Sequence, residues 1–306
     1  MQKQRVVSLL PSATEIVCAL GATDCLVGRS HECDYPSEIL SLPVCTAPKL
    51  DATANSAEID RQVKQLVQDA VSIYRIDTQR LRQLKPDLIL TQAQCEVCAV
   101  SLPEVEQAVS QALGTRPRII SLSPKKLADI WDDIRTVAEA LDLADHGREV
   151  LRGLKTRVVG VIEKACMLKQ LPSVACIEWI EPLMAAGNWV PELVQLAGGR
   201  NLVGEAAKHS DWLTWDTLRQ HDPEIIVFMP CGFDLRRTRA ELAPILQRPD
   251  WSKFRAVRQR QVCLTDGNAY FNRPGPRIVE SLEILAEICH PDRFNFGHRA
   301  KGWEKL

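Results

Sequence analysis

The chain has 306 residues, a formal net charge of −1, 45% hydrophobic and 25% charged residues. That length exceeds what one hydrophobic core usually organises, so two domains are expected. The balanced charge, with no Lys/Arg block, argues against a nucleic-acid partner, and no run of about 18 apolar residues is present to insert in a membrane.

At the N-terminus, MQKQRVVSLLPSATEIVCALGA has its apolar stretch broken by Ser8, Pro11, Ser12, Thr14 and Glu15. It lacks the uninterrupted apolar region and cleavage site of a signal peptide. The eleven cysteines, an odd number, fit free thiols in a reducing cytoplasm better than a disulfide framework. A cytoplasmic location is therefore expected. Residues 5–10 read as a strand, followed by a helix from a Ser12-x-x-Glu15 capping box to Gly21.

Further on, residues 81–90, LRQLKPDLIL, recur as residues 218–227, LRQHDPEIIV. Each copy predicts a helix starting at a polar cap, Asp77 or Thr78 in the first and Asp216 or Thr217 in the second. A proline then stops it. The strand that follows is apolar throughout, as parallel strands covered on both faces are. Between the copies, residues 125–141 and 146–169 carry helical apolar stripes, and the second would be about 36 Å long. Val174–Ile177 predicts a strand and Pro191–Ala197 a helix ending at Gly198-Gly199. The expected division is an N-terminal lobe over 1–143, a bridging helix over 144–171 and a C-terminal lobe over 172–306. Each lobe repeats a strand–helix start and a helix–proline–strand unit.

Ligands of open parallel sheets meet the loops at the carboxyl ends of the strands. That rule selects Ser30–Pro36 with His31, Glu32, Cys33 and Tyr35, and Thr91–Cys98 with Gln92, Gln94, Cys95 and Cys98. It also selects Glu178–Pro182 with Glu178 and Trp179, extended to Gly187-Asn188-Trp189. Met229–Gly232 with Cys231, and Asp266–Pro276 with Asn268, Tyr270, Phe271 and Arg273, complete the set. Trp179, Trp189, Tyr270 and Phe271 are flat groups suited to a broad apolar ligand, and each could equally be core. Arg273 could meet a carboxylate or amide, or simply tie its own loop. Trp131 and His221 read as structural. Trp212 and Trp215 read the same way.

Cys95-x-x-Cys98 has no second C-x-x-C to complete a structural zinc site, so the missing zinc ligands are sought among His31, Glu32, Cys33 and Cys231, His31 first. Redox use of Cys95 is disfavoured by the neighbouring Glu96. There is no G-x-S-x-G, Walker or H-E-x-x-H motif, and nothing places a nucleophile. Gly198–Gly204 follows a helix rather than a strand, which argues against a dinucleotide site.

The segments VVSLLPSATEIVCALGA, the D-Y-P of HECDYP, LRQLKPDLIL, ELVQLAGGRNLVGE and NAYFNRPGPR together resemble the periplasmic-binding-protein-like family that carries vitamin B12, haem and iron–siderophores. The likeness is greatest to its cobalamin-binding branch. The resemblance implies an α/β fold of two Rossmann-like lobes with parallel-rich sheets joined by one long α-helix, the class III arrangement, with a ligand in the inter-lobe cleft. It aligns Tyr270 with a ligand-side aromatic, and brings Trp189 and Tyr35 with it. Family members dock on a permease through an acid on each lobe. Here Gln79 stands at the first position and Asp216 at the second, so permease docking is in doubt. The expected function is intracellular binding of a cobalamin-like corrinoid, a small-molecule ligand. The alternatives are a zinc protein or enzyme using His31, Cys95 and Cys98, and an interaction module without a small ligand.

Overall fold

A computed structural model describes residues 3–68, 73–92, 102–112 and 117–306. The chain forms two compact units. Met1–Ala54, Glu58–Pro124 and Ala128–Arg152 make the first, and Asn55–Ala57, Lys125–Leu127 and Gly153–Leu306 the second. In chain order the elements up to the long helix are β1 (Val6–Ser8), α1 (Pro11–Ala19), β2 (Leu26–Arg29), β3 (Thr46–Pro48), α2 (Ser56–Gln68), β4 (Tyr74–Ile76), α3 (Thr78–Leu84), β5 (Leu88–Gln92), α4 (Leu102–Ala112), β6 (Arg118–Leu122), α5 (Leu127–Ala140) and α6 (Ala144–Ala165). The long helix expected over 144–171 is therefore α6. It ends earlier, and the boundary between units falls within it.

The first unit has a four-stranded parallel sheet in the order β2-β1-β5-β6 and a separate antiparallel ribbon, β3–β4. Its core gathers Val7, Leu9, Ile89, Leu81, Val105 and Val109. The capping box read from Ser12 and Glu15 is not used. Leu10 is extended at the cap position with no side-chain bond, and Pro11 opens the helix. Proline is favoured there because its missing N–H belongs to a position with no acceptor.

The second unit continues with β7 (Ser173–Trp179), β8 (Met184–Ala185), α7 (Val190–Leu196), β9 (Arg200–Asn201), α8 (Trp215–His221), β10 (Ile225–Phe228), α9 (Leu235–Glu241), α10 (Ala243–Leu246), α11 (Arg255–Arg258), β11 (Val262–Thr265), α12 (Ile278–Cys289) and β12 (Trp303–Lys305). Its sheet runs β12-β11-β10-β7-β8, with β9 also paired to β7. The β11–β12 and β7–β8 pairs are antiparallel and the others parallel. Every residue of α12 except Glu280 is buried, which would strand Glu283 and Glu287 without partners. Arg157 of α6 donates to both oxygens of Glu283 at 3.0 and 2.8 Å, and His298 Nε2 lies 2.8 Å from Glu283 Oε2. Glu287 accepts the Phe296 N–H, the Gly297 N–H at 2.9 Å and the Trp303 indole at 2.6 Å, so the final segment is fastened to this helix.

The internal repeat is a structural repeat. In the first copy Asp77 caps α3 by accepting the Arg80 N–H. In the second the cap is Thr214, not Asp216 or Thr217, and both this cap and the start of α8 at Trp215 match Asp77 and Thr78 in the register of the repeat. Both helices end alike. Lys85 (φ 44°) and Asp222 (φ 38°) are left-handed, and each donates its N–H back to the leucine four residues earlier, Leu81 or Leu218. The next residue is proline, which disfavours right-handed helix in its predecessor. After it, Asp87 Oδ2 accepts the Arg5 N–H at 2.8 Å, and Glu224 Oε2 accepts the Ser173 N–H at 2.8 Å.

These geometries give two expectations. Glu224 also accepts from Ser173 Oγ and pairs with Arg255 at 2.8 Å, and Ser173 is buried, whereas Asp87 is exposed. Glu224→Ala strands a buried donor and should cost about 2 kcal/mol, while Asp87→Ala should cost under about 1 kcal/mol. Denaturant unfolding of both variants reads the difference, and equal costs would contradict it. Separately, Asp133 of α5 has a buried Oδ2 without a hydrogen-bond partner among the described residues. Burial, with Asp129 and Asp132 nearby, pushes its carboxyl up to about 7. The unfolded chain releases this proton near pH 4, so between about pH 4 and 7 the folded form holds one proton more and its stability falls as pH rises. Asp133→Asn should leave stability unchanged at pH 4 and raise it by about 1–2 kcal/mol at pH 8, measured as the difference in denaturant midpoints.

Candidate functional site

In the first unit the chain passes from β1 outward to β2 and later returns to the other side of β1 as β5, so the strand order reverses beside β1. That is where open α/β sheets bind ligands. The loop leaving β2 is bound there by small polar groups. Ser8, Thr14, Ser30 and Thr46 are buried, as is Cys33. Thr14 Oγ1 lies 2.9 Å from Ser8 Oγ and 3.1 Å from Cys33 Sγ, and the Ser30 N–H donates to the Ser8 carbonyl at 2.8 Å. Arg29 donates to the carbonyls of Ser30, Cys33 and Leu40.

His31 is half-buried on this loop. Its N–H donates to Thr46 Oγ1 at 3.1 Å, and its Nδ1 lies 2.7 Å from the same oxygen. Its ring tilts against Tyr74 at 5.4 Å between centroids, and the Tyr74 hydroxyl donates to Glu32 Oε1 at 3.0 Å. Burial, reinforced by the Arg29 charge, pushes the imidazole pKa below its ordinary value, which keeps the ring neutral at pH 7. Tyr35 is 48% exposed, and Gln92 is buried at the end of β5. Gln94, Cys95 and Cys98 lie outside the described residues. Among the described residues no group of three or more His, Cys, Asp or Glu side chains converges to hold a metal ion. Helix α3 begins next to Gln79, and Asp216 on α8 pairs with Arg219 at 3.2 Å.

The second unit has the same reversal at β7, with parallel β9 on one side and β10 on the other. Here the loops form one hydrogen-bonded rim. The Met229 N–H donates to Ile177 O and the Cys231 N–H to Glu178 O; the Asn268 N–H donates to Phe233 O. Asn272 Nδ2 donates to the carbonyls of Met229 and Gly267. A Cβ on Gly267 would overlap the Pro230 carbonyl oxygen, so only glycine lets the β10 and β11 loops approach this closely. Glu178 accepts the Ser210 hydroxyl at 2.8 Å.

On this rim Trp179 packs at 5.2 Å against Phe233, and the Arg237 guanidinium lies 3.7 Å above the other part of that pair, the Phe233 ring. The Trp179 Nε1–H donates to Ser56 O at 3.2 Å, in the short segment 55–57 that belongs to this unit. Phe233 is 2% exposed, so the phenyl ring backs this ladder from the core, and the half-buried indole and guanidinium are the groups it presents. Sequence reasoning missed Phe233 and Arg237. The signal was present, since Asp234 caps α9 by accepting the Arg237 N–H at 2.7 Å, placing Phe233 and Arg237 on either side of that cap.

Two expected ligand-side aromatics are corrected. Trp189 is 5% exposed, and its indole N–H donates to Phe271 O at 2.7 Å. Phe271 is fully buried at φ 61°, with its N–H on Ser281 Oγ of α12. Both close the loop onto the core and present no face to solvent. Arg273, 6% exposed, donates to Asn268 Oδ1 at 3.0 Å, so at least one of its bonds ties the loop. Tyr270 is half-buried, 6.3 Å from the His298 ring and 5.6 Å from the Arg277 guanidinium.

Comparison with known proteins places this geometry. YvrC of Bacillus subtilis, an uncharacterized ABC transporter substrate-binding lipoprotein, is 22% identical over 96% of this chain and 82% of its own. The vitamin B12-binding protein of Vibrio cholerae is 25% identical over 94% of this chain and 88% of its own. A solved periplasmic heme binding protein from Pseudomonas aeruginosa superimposes with a TM-score of 0.72 at 19% identity, over 99% of this chain and 97% of that one. These neighbours share the α/β fold with parallel-rich sheets of class III periplasmic-binding-protein-like structures. Residues 6–269 match the model of the family described as periplasmic binding protein, and the chain belongs to that family.

Proposed function

We propose that this protein binds a cobalamin-like corrinoid through the carboxyl-end loops of its sheets. The observation that carries the reading is the half-buried Trp179 indole, backed by the buried Phe233 ring under Arg237, beside Asn268 and Glu178. A corrin is a broad apolar disc fringed with amides. The half-buried Trp179 indole matches its face, and Asn268 and Glu178 match its fringe. A relative named for vitamin B12 supports the same ligand, while a structural neighbour named for heme makes haem the competitor.

We also propose that it works inside the cell. Among the described cysteines, Cys18, Cys25, Cys45, Cys166, Cys176, Cys263 and Cys289 are free thiols. Burial pushes the Cys263 and Cys289 thiols up to about 12, so they sit protonated in the core as small apolar groups. Unpaired thiols in this number favour a reducing compartment. Thiol labelling in intact cells against lysate reads this directly, and labelling of Cys166, which is exposed, by an impermeant reagent in intact cells would contradict it.

The ligand is tested by titrating the intrinsic tryptophan fluorescence of the purified protein with hydroxocobalamin and, separately, with haem. Corrinoid binding at least about tenfold tighter than haem is expected. Trp179→Ala should weaken it by about 2 kcal/mol, roughly 30-fold, with the unfolding midpoint measured alongside. Tighter binding of haem, or no corrinoid binding, would overturn the reading.

A further inference from the structure

At the end of β7 the pairing with β8 slips. Ile177 faces Ala185 and Trp179 faces Met184, so two steps along β7 meet one step along β8, and Glu178 is the extra residue of a β-bulge. A bulge interrupts the alternation that sends neighbouring side chains to opposite faces of a sheet, and re-aims the residue it inserts. Here the re-aimed carboxylate is also braced. Ser210, 6% exposed, accepts the Gly187 N–H at 3.0 Å and donates to Glu178 Oε2 at 2.8 Å. A serine hydroxyl has one hydrogen, and this one is spent on Glu178. A Cβ on Gly187 would overlap the Lys208 carbonyl oxygen and the Ser210 nitrogen, so the two segments that carry the brace are in close contact. From the other side the Cys231 N–H donates to the Glu178 carbonyl at 3.2 Å, fixing the backbone of the bulge.

A carboxylate accepts hydrogen bonds and donates none, and its two oxygens offer about four acceptor positions. Glu178 is half-buried and precedes Trp179 in the chain. Against the fringe of a disc seated on that indole, a braced carboxylate gains from an amide N–H and is repelled by another carboxylate. Resting on the corrinoid reading above, we infer that Glu178 is a specificity-determining residue that selects a corrinoid with amide side chains over one with carboxylates. Ser210 is its positioning residue. The same charge works against haem, whose edge carries carboxylates, so this one side chain separates the two ligand classes by repulsion as well as by attraction.

Dicyanocobinamide, whose corrin side chains end in amides, and dicyanocobyrinic acid, whose side chains are carboxylates, are the probes, each titrated by tryptophan fluorescence. Wild-type protein should bind the amide form at least about tenfold tighter. Glu178→Gln, which keeps an acceptor for Ser210 and removes the charge, should shrink that ratio about tenfold, chiefly by tightening the acid. Ser210→Ala should weaken the amide form a few-fold and leave the acid unchanged, a split that a merely structural loss would not give. Arg237 and Arg273 lie on the same rim, so the ratio between variants, rather than either affinity, isolates Glu178 from them. A ratio unchanged in Glu178→Gln would overturn the selective role while leaving the corrinoid reading standing. Wild-type protein that binds both probes equally tightly would do the same without relying on any variant. No binding of either corrinoid would overturn both readings.

Discussion

A parallel strand contributes nothing to its neighbour until its register is set, because its hydrogen bonds are slanted and no tight turn fixes the pairing. In each unit a carboxylate after the helix-ending proline takes that task. Asp87 receives the Arg5 N–H just ahead of β1, and Glu224 receives the Ser173 N–H that begins β7. The ladders that follow, Val6 opposite Leu88 and Val174 opposite Ile225, are the central pairs of their sheets. They are also the pairs beside which the strand order reverses, so the place where loops splay apart is set by this clamp. In the second unit the clamp is buried deeper and reinforced by Ser173 Oγ and Arg255. Those bonds also hold the Glu224 carboxyl below its usual range, the Ser173 N–H contributing most.

The clamp was legible as a repeat because its parts are local: a cap, a buried leucine, a left-handed residue, a proline, an acid and an apolar run. What could not be read was where distant segments land. Thr46 and Tyr74 come from the β3–β4 ribbon, whose three-residue strands carry no periodicity, yet they orient His31 and Glu32. Trp189 and Phe271 were misread for the opposite reason. Aromatic residues in Gly- and Pro-rich loops look exposed on sequence alone. Here the Trp189 indole finds the Phe271 carbonyl 82 residues away, and the Ser281 hydroxyl of α12 accepts the Phe271 N–H. The α8 cap is Thr214 rather than Asp216 or Thr217 because several small polar residues there can each cap a helix, and the one in register with Asp77 is used.

The two rims also show why fold and ligand chemistry are separate questions. Both stand at the same topological position of a repeated unit, yet they carry different groups. The first is a cluster of hydroxyls and a thiol around a neutral imidazole. The second is an indole, a phenyl ring and a guanidinium above backbone-tied amides. The repeat explains the scaffold, and only the loops can explain what is bound.

Within each rim, polar groups bond to one another. Glu178 holds Ser210, Arg273 holds Asn268, Asn272 holds two carbonyls and Thr46 holds both His31 and Ser30. Groups already ordered in this way cost little further entropy when a ligand arrives, so a few contacts suffice for useful affinity. The same economy limits which ligands fit. A small, highly polar solute would have to break these internal bonds to find partners. A large flat molecule would gain from the half-buried Trp179 indole without disturbing them.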